Sequence, residues 1–95
     1  MQITIDELRR ATNVLLTHLE STGRNTVEVE NDYYWSIDPE QRYDVYKQPD
    51  GLSIGQLSDD LAEVRAIANG DKEAVGYGLV WLASVLRAAG EEAIG

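Results

Sequence analysis

Ninety-five residues with no cysteine describe one domain, residues 1–95, able to bury a modest core without disulfides or thiolate metal sites. A formal net charge of −9 excludes the basic footprint of a nucleic-acid binder and disfavours an anionic membrane surface. The opening Met1-Gln2-Ile3-Thr4 is no basic and apolar leader, and no apolar run reaches the ~20 residues of a membrane span, so a soluble cytoplasmic protein is expected.

Thr4 to Thr22 reads as the first helix. Thr4 with Glu7 three residues on is a capping-box pattern, and Asp6 and Glu7 suit the positive end of the helix dipole. Ile5, Leu8, Ala11, Leu15, Leu16 and Leu19 fall on one face, with Arg9, Arg10, Asn13, Thr17 and Glu20 opposite. Asp6 and Arg10 stand one turn apart, a spacing at which opposite charges pair. Gly23 stands where a C-terminal cap is expected.

Asn25 to Glu30 alternates, with Val27 and Val29 on one side, which predicts a short half-buried strand. Its expected partner is Leu52 to Gln56, after the Pro49-Asp50-Gly51 turn. Between them, Asn31 to Gln48 holds five of the seven aromatic residues of the chain. Asp38-Pro39-Glu40 there predicts a single helical turn, with Asp38 as cap and proline in the first position. A connection this long in a compact domain points to function.

Ser58 to Asn69 is the second amphipathic helix, with Ser58 as N-cap, Asp59 and Asp60 in its first turn, and a stripe of Leu57, Leu61, Val64, Ile67 and Ala68. A capping box of Ser53 and Gln56 is the alternative start, and would erase the second strand. Asn69-Gly70 closes this helix, and Asp71 is expected to cap the next. Ala74 to Ala89 carries one charge, Arg87, in sixteen residues. Val75, Leu79, Trp81, Leu82, Val85 and Leu86 fill one broad face, and Val80 and Ala83 extend the apolar surface to the other. A helix apolar nearly all round is expected to be buried. Gly76 and Gly78 within it imply close approach of another backbone, such as the first helix, and Gly90 its end.

Three groups of residues invite a chemical reading. His18 is the only histidine, and one imidazole without cysteine does not make a transition-metal site. Asp59, Asp60 and Glu63 form a cluster that could serve acid–base chemistry or hold a cation, but acids in a first turn also answer the helix dipole. No serine lies in a nucleophile elbow, and no glycine-rich loop opens a helix to cradle phosphate. Neither a catalytic residue, a metal ligand nor a cofactor is therefore assigned. The third group, Tyr33-Tyr34-Trp35 with Tyr43 and Tyr46, lies among Asp32, Asp38, Glu40 and Asp44. Aromatics among carboxylates do not suit nucleic acid, which needs cationic company. They suit a protein interface, in which rings anchor and charges steer. The structural alternative is that alternate rings, such as Tyr34 and Tyr46, plug the core of a chain that has no phenylalanine.

Asp32-Tyr33-Tyr34-Trp35, Tyr43-Asp44-Val45-Tyr46, Pro49 and Ile54-Gly55-Gln56-Leu57-Ser58-Asp59-Asp60-Leu61 resemble a group of short hypothetical bacterial proteins. The resemblance extends from residue 32 to residue 88, through Leu79-Val80-Trp81-Leu82. It implies a stand-alone bacterial protein and brings no activity, cofactor or catalytic residue.

The expected fold is α+β: three helices, organised around a central apolar helix at 74–89, with a minimal two-stranded antiparallel ribbon. The expected function is that of a non-enzymatic, acidic protein-binding module, in its most concrete form an immunity- or antitoxin-like inhibitor of a basic protein partner. Tyr33, Trp35, Asp38, Glu40, Tyr43 and Asp44 are the candidate binding residues. Between Glu28 and Glu63 there are ten acids against two bases, so the charge is concentrated around them. The rival readings are a small enzyme or ligand- or metal-binding protein using Asp59, Asp60 and Glu63, and a homodimeric subunit closed by the aromatic surface.

Overall fold

The computed structural model describes residues 1–94. It is α+β, with four helices and one two-stranded antiparallel sheet. In chain order the elements are α1 (Ile5–Ser21), β1 (Tyr33–Ile37), α2 (Pro39–Arg42), β2 (Leu52–Gln56), α3 (Leu57–Ala68) and α4 (Gly78–Ile94).

Local chemistry accounts for most of the ends. The Thr4 hydroxyl accepts the Glu7 amide at 3.2 Å and starts α1, and Asp6 pairs with Arg10 at 2.9 Å along its exposed side. Thr22 is the C-cap, and Gly23 follows at φ +89°, the left-handed conformation in which glycine has no steric penalty. Asp38 caps α2 by accepting the Glu40 amide at 3.1 Å, ahead of Pro39.

The strand partner differs from expectation. Residues 25–30 are not a strand, and β2 pairs with Tyr33–Ile37 in the register Tyr34↔Gly55, Trp35↔Ile54 and Ser36↔Ser53. The physical reason lies in two fits that alternation alone does not reveal. Tyr34 lays its ring on Gly55, directly opposite, where the absent Cβ leaves room. Asp32, just ahead of β1, reaches the start of α3. Its backbone carbonyl accepts the Leu57 amide at 2.6 Å, and its carboxylate accepts the Ser58 amide at 2.7 Å. Ser58 is thus inside the first turn and not the cap. Gln56 occupies the cap position but its side chain accepts no helix amide, and Asp32 supplies the missing acceptor from another element.

The helix expected at 74–89 begins later and ends later. Asp71 does not cap it. The Asp71 amide instead donates to the Ala66 carbonyl at 2.9 Å and finishes α3. Gly90 does not stop it, since the run Ala88, Ala89, Glu91, Glu92, Ala93 favours helix enough to carry one glycine, which costs ~1 kcal/mol. Gly76 precedes the helix with open space around its Cα. Gly78 does meet a neighbour, but it is the Ile67 side chain of α3, 3.1 Å from where a Cβ would stand.

Helix α4 packs against α3, and β1 against β2. At the α3–α4 turn, Lys72 pairs with Glu63 and places its ammonium 4.7 Å from the centroid of Trp81, while Tyr77 meets that ring edge-on at 5.3 Å. Helix α1 is not packed on α4 as the expected arrangement required. Every hydrogen bond and ion pair of residues 4–23 spans four residues or fewer. No backbone hydrogen bond of residues 24–31 draws α1 back onto the other described elements. Among the described residues none is fully buried, and the apolar helix itself leaves Leu79, Val80 and Leu86 open to solvent. No helix among them is long and apolar enough to cross a membrane.

Candidate functional site

A strand sends successive side chains to opposite faces, and β1 divides its aromatics accordingly. Tyr34 turns inward and is half-buried, whereas Tyr33 and Trp35 turn outward at 65% and 69% exposure. The register places Ile54 beside Trp35 and Leu52 beside Ile37, and both β2 side chains are also exposed. The outer face of the sheet is thus an apolar surface headed by Tyr33 and Trp35. Tyr43 follows as the C-cap of α2 at 80% exposure, and Tyr46 lies in the loop beyond at 98%. Tyr46 is therefore not a core plug, and Tyr34 is the one ring of the five that packs inward.

The acids of the segment take separate stations. Asp38 is occupied as the α2 cap. Glu40 and Asp44 line a cleft of about 250 Å³ with Gln41, Lys47, Gln48 and Asp50. Gln41 holds this loop closed. Its amide donates to Asp50 at 2.7 Å, and its carbonyl accepts the amides of Asp50 and Gly51 at 3.2 and 3.3 Å. Arg42 adds a bond to the Ile37 carbonyl at 2.8 Å. Glu40 and Asp44 are brought together, while Tyr33, Trp35, Asp38 and Tyr43 lie outside the cleft. The part of Gln41 was not read from the sequence; its only signal is a polar residue on a helical turn nine positions before Asp50.

The carboxylates of α3 do not converge. Asp59 is exposed, Glu63 pairs with Lys72, and Asp60 turns inward. Its Oδ2 accepts the Tyr34 hydroxyl at 2.5 Å and the Ser84 hydroxyl at 2.6 Å, and Ser84 also reaches the Trp81 carbonyl at 2.8 Å. One carboxylate thereby ties β1, α3 and α4 together. That explains an acid on the apolar side of the α3 wheel, and it leaves Asp60 engaged at both of its neighbours. Among the described residues no three His, Cys, Asp or Glu side chains gather as a metal-binding group would.

Two groups here have shifted proton affinities. The Asp32 carboxyl is held below the ordinary carboxylate range by the Gln56 side-chain amide at 3.0 Å, then by the Ser58 amide and hydroxyl, with desolvation opposing. The Tyr34 phenol is pushed up, first by donating to the Asp60 carboxylate and then by burial. A depressed carboxyl stabilises the fold above its unfolded value near 4, and that contribution disappears as pH falls through the folded value. A raised phenol stabilises the fold fully below about pH 10, and that contribution disappears as pH rises beyond it. Urea midpoints measured against pH should therefore fall at both extremes. Asp32→Asn is expected to flatten the acid limb and Tyr34→Phe the alkaline limb. Limbs unchanged in these variants would assign the pH dependence to other groups.

No family model matches this chain, and no curated protein or solved structure matches it.

Proposed function

We propose that this chain is a non-enzymatic protein-binding module that uses its acidic, aromatic face to capture a basic protein, in the manner of an immunity- or antitoxin-like inhibitor. The observation that carries the proposal is the outward presentation of Tyr33 and Trp35 on the sheet, with Tyr43 exposed just beyond. Large rings held at a surface supply contact area at low entropic cost, and such residues dominate binding energy. The charge supports the same reading. Residues 28–63 carry −8 of the net −9, so the aromatic face sits in the most negative part of the chain. A basic partner would be drawn there at a salt-sensitive rate. The rival reading, a site built on Asp59, Asp60 and Glu63, lacks convergence, since each carboxylate has a different station.

The test is capture of a partner from the native host with wild-type protein, in parallel with Tyr33→Ala/Trp35→Ala, followed by kinetics on the captured protein. The expected partner is basic and is lost in the aromatic variant. Reversal of Asp38 and Glu40 to lysine should slow association and weaken its salt dependence, while Tyr43→Ala should mainly speed dissociation. An acidic partner, or binding indifferent to both sets of changes, would reject the proposal.

A further inference from the structure

We infer that two copies of this chain associate through α1, each covering the apolar seam of the other. The seam is read from spacing. Ile5, Leu8, Thr12, Leu15 and Leu19 follow one another at intervals of 3, 4, 3 and 4, the a and d positions of a coiled-coil heptad. Ile5, Leu8 and Leu15 are 65%, 50% and 66% exposed, and Leu16 alongside is open as well. Thr12, the one polar member, donates its hydroxyl to the Leu8 carbonyl at 2.7 Å, so it brings no unpaired donor to the seam.

No other element makes an extensive contact with this helix, and of its seam only Thr12 and Leu19 are half-buried. At 17 residues α1 is little longer than the ~12–15 below which isolated helices are marginal in water, and most helices owe their stability to the burial of one face. The chain as a whole exposes more surface than its mass calls for. A folded monomer of 10.6 kDa exposes about 5,500 Å², whereas this chain exposes 8209 Å². The excess of about 2,700 Å² is spread over the chain, from Tyr43, Val45 and Tyr46 to Leu79, and the open face of α1 supplies part of it. The radius of gyration, 15.2 Å, likewise exceeds the roughly 12 Å of a compact chain of this length.

Charge selects the occupant. Residues 1–27 hold three acids and three bases, and residues 28–95 hold the whole −9. Two copies that repel elsewhere can meet along this neutral arm. The positions flanking the seam are Arg9, Leu16, Ala11 and His18, with no acid among them, and Asp6 is turned to Arg10 outside it. A basic protein attracted by the acidic face has no electrostatic reason to choose α1. The inference is therefore independent of the proposed function.

Sedimentation equilibrium on the full chain tests it, from micromolar to 100 micromolar concentration and at low and high salt. The expected mass is twice 10.6 kDa, insensitive to salt or tightened by it because the seam is apolar. Leu8→Glu/Leu15→Glu should raise the dissociation constant on the order of a hundredfold or more, because it places charges in a buried seam. It should reduce helical circular dichroism by the share of α1 while leaving the Trp81 environment unchanged. Trp35→Ala should leave the dimer intact. A wild-type monomer at the highest concentration, with a radius of gyration near 12 Å, would show closure of α1 onto its own chain and overturn the inference. A dimer lost in Trp35→Ala, or indifferent to the two glutamates, would place the contact elsewhere and overturn it as well.

Discussion

Gly55→Ala is expected to lower the free energy of unfolding by about 2–3 kcal/mol, the largest loss from any single methyl group added to this chain. The position does not need glycine for its backbone, because only Gly23 and Gly70 among the described glycines have positive φ. It needs glycine for space. A Cβ at residue 55 would stand 2.6 Å from the Tyr34 hydroxyl oxygen and nearer still to Cζ. The ring cannot slide aside cheaply, since its hydroxyl is bonded to Asp60 at 2.5 Å. An alanine in a strand normally gains a few tenths of a kcal/mol over glycine through the entropy of the unfolded chain, and the clash outweighs that gain. Urea unfolding of Gly55→Ala in the wild-type and Tyr34→Ala backgrounds tests the cause. The penalty should vanish when the ring is gone, giving a coupling energy about as large as the penalty itself. A penalty that persists without the ring would assign the glycine to something other than the Tyr34 contact.

Asp60→Ala is expected to cost about 1.5–3 kcal/mol, the range for hydrogen bonds to a charged acceptor. The loss falls unequally on its two partners. Ser84 has one hydroxyl proton and an alternative acceptor in the Trp81 carbonyl at 2.8 Å, so it turns there. Tyr34 loses its charged acceptor and keeps only the neutral Ser84 hydroxyl beside it, so its half-buried hydroxyl is left with the weaker bond. The order of destabilisation should therefore be Asp60→Ala, then Tyr34→Phe, then Ser84→Ala, with the serine costing well under 1 kcal/mol on the order given for a replaceable bond. Asp60→Asn keeps the shape and one acceptor and should fall between the first and the last. Equal losses from Ser84→Ala and Asp60→Ala would mean that α4, not β1, depends on the carboxylate.

These two substitutions lie at the junction that tertiary structure created, and they separate what was legible from what was not. Features that depend on neighbours within four residues are readable in the chain. The Thr4 cap, the Asp6–Arg10 pair, the Gly23 stop and the Asp38-Pro39 turn are each satisfied by groups one turn away, so side-chain chemistry at that spacing determines them. The exposed aromatics belong partly to this class. Alternation in an extended segment separates Tyr33 and Trp35 from Tyr34 once that segment is a strand.

Which segment became that strand was a nonlocal decision. Residues 25–30 alternate as well as Tyr33–Ile37 does, but only the latter brings a ring to Gly55 and an aspartate to the bare end of α3. Gly55 pairs with Tyr34 across the sheet and Ser58 lies 26 positions from Asp32, beyond the reach of any local propensity. The same holds for Asp60, whose inward position on α3 makes sense only after Tyr34 and Ser84 arrive from two other elements. The apolar stripes were plain in the sequence, because a period of 3.6 marks a face to be covered. What covers each face was not, because hydrophobic burial is non-directional and accepts any apolar partner. Packing chose α3 for α4 and left Ile5, Leu8 and Leu15 of α1 in water. A stripe determines that a helix needs a partner, and only the assembled structure determines which surface that partner presents.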